Sequence, residues 1–161
     1  MTIEKGQKLP DATFLTMTPD GPGPVTTDEY FSGRKVVLFA IPGAFTPTCA
    51  ARHIPSYVEN IDALKAKGVD AVACTAVNDV FVMDAQAEAA KASGKIDFLA
   101  DGNGDFAKAA GLDLDASGLG LGTRSHRYAM IVDDGVVTEI FIEPNPGEMT
   151  VSGAEEVLKA L

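Results

Sequence analysis

Residues 36–77 read VVLFAIPGAFTPTCAARHIPSYVENIDALKAKGVDAVACTAV, and this stretch decides the fold. Val36 to Ile41 is an unbroken apolar run rich in β-branched residues, the pattern of a strand buried on both faces. Pro42 and Gly43 end it. From Cys49 to Lys67 the apolar positions Ile54, Val58, Ile61 and Leu64 recur at helical spacing, with Thr48 expected as N-cap and Gly68 as C-cap. Pro55 lacks an N–H and is expected to kink or restart this helix. Val69 to Val77 is a second apolar run, so strand, crossover helix and strand make a right-handed βαβ unit with a parallel pair.

Outward from this unit the pattern continues in short elements. Thr26-Thr27-Asp28-Glu29 predicts a capped short helix before the first strand. Downstream, Asn78-Asp79 caps a helix to about Ala92, Ile96 to Leu99 reads as a short strand, and Phe106 to Ala110 as a short helix. Gly118 to Gly122 reads as a loop. Arg127 to Val132 and Val136 to Ile142 flank Asp133-Asp134-Gly135, a hairpin signal, and the capping-box pattern Ser152-x-x-Glu155 predicts a last helix to Leu161. The order βαβ, helix, hairpin, helix is that of a thioredoxin-like fold: an α/β domain with a central mixed β-sheet flanked by helices. We find no repeat, low-complexity tract or linker, so residues 1–161 are expected to form one domain.

The formal net charge of −10 opposes phosphate backbones and anionic lipid, and no basic cluster reverses it locally. Nucleic acid and membrane surfaces are therefore not expected as partners. Met1 to Asp11 carries charges and no apolar signal core, and nowhere do about 18 apolar residues run together. The expectation is a soluble, cytoplasmic chain. With only two cysteines there is no disulfide framework of a secreted domain, so each cysteine is weighed as a packed apolar residue, a ligand or a nucleophile.

Cys49 stands where a strand has ended and a helix is about to begin. There the unpaired N–H groups and the positive end of the helix dipole favour thiolate over thiol. The competing reading, a free cysteine packed as a small hydrophobe, sits poorly with a preceding loop that contains two prolines and a glycine. Thr46-x-x-Cys49 has the spacing of a Cys-x-x-Cys redox pair with the first sulfur replaced by a hydroxyl, so it cannot close an internal disulfide.

The whole stretch Pro42-Gly43-Ala44-Phe45-Thr46-Pro47-Thr48-Cys49 resembles the active-site motif of type II peroxiredoxins, the subfamily that also contains peroxiredoxin-five. The resemblance continues through His53-Ile54-Pro55, through Ala76-Val77-Asn78-Asp79-Val80-Phe81-Val82-Met83, through Leu99-Ala100-Asp101, and through Arg124-Ser125-His126-Arg127-Tyr128. It implies a thiol peroxidase that reduces hydrogen peroxide and organic hydroperoxides and needs no cofactor and no metal. Cys49 would be the peroxidatic cysteine, Thr46 its hydroxyl partner, Pro42 a shield against solvent, and Arg127 the guanidinium beside the sulfur. A cysteine at the usual pKa of about 8.5 is only about 3% thiolate at pH 7, so complete ionisation could raise the rate about thirty-fold at most. The site must therefore also stabilise charge developing on the peroxide oxygens. Thr46, Arg127 and the backbone N–H groups of Thr48 and Cys49 are the candidate donors. Arg124 reads equally as a functional and as a structural arginine.

Cys74 lies in a central-strand pattern and reads as a buried, inert thiol. Members of the resembled family that recycle through their own second cysteine carry it near the C-terminus, in a stretch matched here by Gly147 to Ser152. Position 151 is Val, and no cysteine follows Cys74. This departure resembles the one-cysteine branch, whose reductant is glutathione or glutaredoxin. The resemblance, with Phe45 as a large apolar residue in a surface loop, also implies a homodimer.

Other motifs fail. Asp101-Gly102-Asn103-Gly104-Asp105 begins like a calcium loop, but Phe106 replaces the required glycine and Leu112 the bidentate glutamate. Among Cys49, Cys74, His53 and His126 the only metal-like spacing is Cys49 to His53, and Pro55 disturbs that helix. Gly118 to Gly122 does not fit a dinucleotide fingerprint. Two rivals stay open: a cysteine hydrolase using His53 or His126 as base, and a redox sensor or thiol-controlled interaction module.

Overall fold

The computed structural model describes all residues, 1–161. Seven strands form one sheet in the order β2 (Gly21–Thr26), β1 (Thr13–Thr18), β5 (Asp97–Ala100), β4 (Ala71–Ala76), β3 (Lys35–Ala40), β8 (Tyr128–Asp133), β9 (Val136–Ile142). Its centre is the expected βαβ unit: β3 (Lys35–Ala40) runs parallel to β4 (Ala71–Ala76), joined by α2 (Ile54–Ala66). β5 (Asp97–Ala100) extends the parallel set on the other side of β4. β8 (Tyr128–Asp133) lies antiparallel to β3, and β9 (Val136–Ile142) antiparallel to β8. The turn between them places Asp134 and Gly135 at φ of 49° and 79°, the left-handed pair that a tight hairpin turn requires.

The alternation along β3 shows why its sequence is apolar throughout. Val37, Phe39 and Ile41 face one core, shared with α2, α3 (Val80–Ala89) and α5 (Ala154–Lys159). Val36, Leu38 and Ala40 face a second core, which takes in Tyr30 and Phe31 of α1 (Thr27–Phe31) and Phe106 of α4 (Asp105–Ala109). On the first face the Tyr57 ring stacks on Phe39 at 4.0 Å and 7°, fixing α2 over the strand. No helix is long and apolar enough to cross a membrane.

Two hairpins escaped the sequence reading. β1 (Thr13–Thr18) and β2 (Gly21–Thr26) form one at the sheet edge, and β6 (Asp113–Asp115) with β7 (Thr123–Ser125) form a separate small ribbon around the 118–122 loop. The α1 capping box is present, with Thr26 accepting from Glu29 N and Glu29 bonding back. Asp79 caps α3 by accepting from Val82 N at 2.9 Å.

Two caps are placed differently from expectation. Thr48 is not an N-cap: it is already in helical conformation, and its hydroxyl donates instead to Gly147 O at 2.6 Å. The capping box at Ser152 does not form either. α5 starts at Ala154 after Gly153, because the Ser152 hydroxyl and N–H are both taken by the Glu143 carboxylate at 2.7 Å. Pro55 acts as expected. The turn before it, Cys49–His53, is π-helical, with Ile54 N bonding back to Cys49 O, and regular α-helix starts at Ile54. A wide turn here accommodates the proline, which cannot donate to the preceding turn and crowds it.

Candidate active site

Three strand ends meet at one edge of the sheet and build the site. Ala40 of β3 pairs with Tyr128 of β8, and Tyr128 pairs with Ile142 of β9. Arg127, just before β8, therefore lies beside the end of β3, and Glu143, just after β9, lies beside Arg127, whose carbonyl accepts from Glu143 N at 2.9 Å. The loop leaving β3 carries Pro42 through Cys49 over this edge. Arg127 and Cys49, distant in sequence, are brought together by topology alone.

The Cys49 sulfur is fully buried. Arg127 Nη2 donates to Sγ at 3.0 Å, and Thr46 Oγ1 lies 2.8 Å from it. Thr46 Oγ1 is also 2.7 Å from Gly43 O, and its single proton can serve only one of these acceptors. When Cys49 is a thiol, S–H donates to Thr46, which donates to Gly43. When Cys49 is a thiolate, the hydroxyl turns to the sulfur. The N–H groups of Thr48 and Cys49 find no acceptor within the chain, as the first turn of a helix dictates.

Arg127 is 1% exposed, and its guanidinium is held on three sides. Besides the bond to Sγ, Nε donates to Pro146 O at 2.9 Å and Nη1 to His53 Nδ1 at 2.8 Å. Because arginine only donates, His53 Nδ1 must be the unprotonated nitrogen. Nε2–H then donates to Ser152 O at 3.0 Å, which also accepts from the Tyr57 hydroxyl at 2.7 Å. Burial, and then the adjacent guanidinium, push the His53 pKa down to about 3. His53 is thus neutral with both nitrogens engaged, which removes it as the base of a cysteine hydrolase.

The loop is fixed from α3. Ala44 N donates to Asn78 Oδ1 at 2.9 Å and Phe45 N to the buried Gln86 Oε1 at 2.6 Å. These bonds hold Phe45 at φ 62°, a left-handed conformation unusual for a bulky residue, with its ring 53% exposed. Gly43 sits in close quarters: a Cβ there would lie 3.1 Å from Arg124 Nη1 and 3.3 Å from Thr46 Cγ2, so these side chains would have to yield by a few tenths of an ångström. Arg124 itself donates from Nε to Leu121 O at 2.9 Å and from Nη1 to Val77 O at 3.5 Å, tying the 118–122 loop to the end of β4, and does not bond Cys49. Pro42 is half-buried at the end of β3.

Cys74 lies in β4 opposite Phe39, within the same core as Cys49. Burial, and then the neighbouring Cys49, push its thiol well above the usual range. No three His, Cys, Asp or Glu side chains gather as a metal-binding group. Asp101, the start of the calcium-like stretch, accepts from Phe106 N at 3.1 Å and Ala107 N at 2.9 Å and so caps α4. Sequence reasoning missed Gln86 and Ser152, whose contacts with Phe45 and His53 are distant in the chain, and Glu143, whose carboxylate gathers residues 150–152 without any motif to mark it.

A buried cysteine at the start of a helix, faced by a guanidinium and a threonine hydroxyl on a thioredoxin-like sheet, defines a thiol-based redox protein. The Redoxin family model matches residues 4–158. The chain is 50% identical over 165 residues to peroxiredoxin-2E-2, chloroplastic, of Oryza sativa subsp. japonica, covering 99% of this chain and 73% of that one. It is 45% identical over 163 residues to the hybrid peroxiredoxin hyPrx5 of Haemophilus influenzae, covering 100% of this chain and 67% of that one. The crystal structure of reduced Prx3 from Vibrio vulnificus in complex with hydrogen peroxide superposes with a TM-score of 0.94 at 51% identity, covering 99% of both chains. The chain belongs to the peroxiredoxins, as a type II member, and is a thiol peroxidase.

Proposed function

We propose that Cys49 is the sulfur that reduces the hydroperoxide and that an external small thiol, glutathione alone or with glutaredoxin, regenerates it. The observation that carries the first part is the pairing of Cys49 Sγ with Arg127 Nη2 at 3.0 Å and Thr46 Oγ1 at 2.8 Å. The thiolate attacks the terminal oxygen of ROOH. An S–O bond forms, the O–O bond breaks, and RO⁻ leaves to take a proton, giving Cys49 sulfenic acid and ROH. Charge shifts from sulfur to the leaving oxygen, so donors must serve both atoms. Guanidinium carries five N–H donors. Three are committed to Sγ, His53 and Pro146, leaving one on each terminal nitrogen for the peroxide oxygens. The unpaired N–H groups of Thr48 and Cys49 add two more donors near the sulfur. Pro42 shields the sulfur from bulk water.

For the second part, glutathione condenses with the sulfenic acid to give a mixed disulfide and water, and a second thiol releases Cys49 and glutathione disulfide. Two observations support an external reductant. Position 151 is Val, and Cys74 is a protonated thiol locked in a central strand. Intact mass spectrometry after one equivalent of peroxide tests both parts. Expected are one added oxygen on wild type, a glutathione adduct when the thiol is present, and neither in Cys49→Ser. Oxidation persisting in that variant would overturn the assignment.

We further infer a homodimer, supported by Phe45 and Phe81, which are 53% and 65% exposed, the first bonded to α3 and the second on it. Sedimentation should show a dimer that Phe45→Asp with Phe81→Asp dissociates. A monomer at micromolar concentration in wild type would refute it.

A further inference from the structure

We propose that Glu143 is a positioning residue that sets Arg127 against the Cys49 sulfur by folding the 144–152 loop. Its carboxylate is 2% exposed and has no cationic partner. It accepts instead from Thr150 N, Thr150 Oγ1, Val151 N, Ser152 N and Ser152 Oγ, all at 2.6–2.9 Å. Burial alone would push this carboxyl up, but the two hydroxyls and the backbone N–H groups more than reverse it and hold its pKa at about 2. It is therefore ionised throughout the working range.

The segment so folded supplies the guanidinium's supports. Pro146 O accepts from Arg127 Nε at 2.9 Å, and Ser152 O fixes His53, whose Nδ1 accepts from Arg127 Nη1 at 2.8 Å. Two of the three bonds that orient the guanidinium thus end on, or are held by, the loop that Glu143 gathers. Gly147 O, between them, also receives the Thr48 hydroxyl from the active-site helix at 2.6 Å. A neutral amide at 143 offers one acceptor oxygen, and its NH₂ would face N–H and O–H donors, so the gathering fails.

The sign of the effect separates positioning from charge. Removing a nearby negative charge would by itself ease ionisation of Cys49, whereas releasing Arg127 would hinder it. The test compares Glu143→Gln and Ser152→Ala with wild type and with the half-exposed control Glu156→Gln, whose carboxylate pairs only with Lys159. One readout is the pH midpoint of Cys49 alkylation by iodoacetamide, followed on the Cys49 peptide by mass spectrometry. The other is the peroxide rate constant at a pH above that midpoint.

Expected for Glu143→Gln is a midpoint moved to higher pH and a limiting rate lower by about tenfold or more, as small misplacements of reacting groups produce. Ser152→Ala should move both in the same direction by less, and Glu156→Gln should move neither. A folded Glu143→Gln with unchanged or lowered midpoint and unchanged limiting rate, even with a lower melting temperature, would overturn the proposal. If that variant does not fold, Ser152→Ala and Thr150→Val, each removing one hydroxyl, decide in its place, and no shift in either overturns it. The proposal rests on the peroxidase reading, but alkylation needs no peroxide. A wild type that fails to consume peroxide would sink that reading while the midpoints still decide the role of Glu143.

Discussion

Arg127→Gln is the perturbation that tests most directly whether the guanidinium acts on the transition state or only on the sulfur's ionisation. At 3.0 Å from Sγ, a unit charge pair at an effective dielectric of about 20 attracts by about 5.5 kcal/mol before desolvation is subtracted. If that attraction served ionisation alone, restoring the thiolate by raising the pH would restore the rate, since a cysteine at its usual pKa forfeits at most about thirty-fold at pH 7. If the two uncommitted guanidinium N–H groups also meet the peroxide oxygens, their loss persists when every sulfur is ionised and should resemble deletion of an oxyanion donor, about 10²-fold. The assay is stopped-flow peroxide reduction from pH 5 to 10, comparing the high-pH plateaus of wild type and variant. Glutamine also leaves Pro146 O and His53 Nδ1 without their donor, which costs about 1–3 kcal/mol for each buried group. Circular dichroism must therefore show the variant folded at the assay temperature. Equal plateaus would refute a transition-state role for Arg127.

Thr46→Val removes the hydroxyl shared by Sγ and Gly43 O and should slow the limiting peroxide rate by about 10²-fold, while Thr46→Ser should keep most of it in the same stopped-flow assay. Cys74→Ser should retain peroxide turnover with glutathione and glutaredoxin, and oxidised wild type should show no Cys49 to Cys74 disulfide by mass analysis; lost turnover with such a disulfide would reverse the proposal of an external reductant. Stability should fall with acid, because the depressed pKa values of His53, about 3, and Glu143, about 2, mean that the unfolded chain binds the extra protons. The His53 contribution is complete above about pH 6.5 and is lost as pH falls toward 3, at up to about 1.4 kcal/mol per pH unit. The Glu143 contribution goes below about pH 4.5. Urea titrations from pH 4 to 7 should show a shallower slope for His53→Gln than for wild type, and identical slopes would contradict the buried neutral imidazole.

The parts of the fold legible in the sequence are those whose pattern is local. Val36 to Ile41 is apolar throughout, and Val69 to Val77 nearly so with Asp70 and Thr75 apart, because both faces of β3 and β4 are covered. The β1–β2 hairpin was illegible for the opposite reason. Gly21-Pro22-Gly23-Pro24 has the composition of a loop, and it is a strand only because β2 is an edge strand, where prolines need no ladder partner on the outer side. The two misplaced caps have different causes. Ser152 carries the right side chain at the right spacing, but the Glu143 carboxylate nine residues earlier holds both its hydroxyl and its N–H, whereas Thr48 cannot cap because the helical conformation already includes it.

The candidate site divides along the same line. The loop-to-helix junction singles out Cys49, whereas the roles of Thr46 and Pro42 beside it came from the family resemblance. Arg127 entered only through family resemblance, because nothing local distinguishes it from Arg124 three residues earlier. What separates the two arginines is strand register. Arg127 directly precedes the residue of β8 paired with Ala40, the last residue of β3, so its side chain reaches the sulfur, whereas Arg124 sits in β7 of the outer ribbon and reaches loop carbonyls. The same register sets Glu143 beside Arg127 across β8 and β9. A shift of one residue in either pairing would turn the arginine or the carboxylate to the opposite face of the sheet. The chemistry of Cys49 therefore depends on two antiparallel registers formed more than 70 residues downstream, which is why a reading confined to its own motif finds the nucleophile but not what positions its cation.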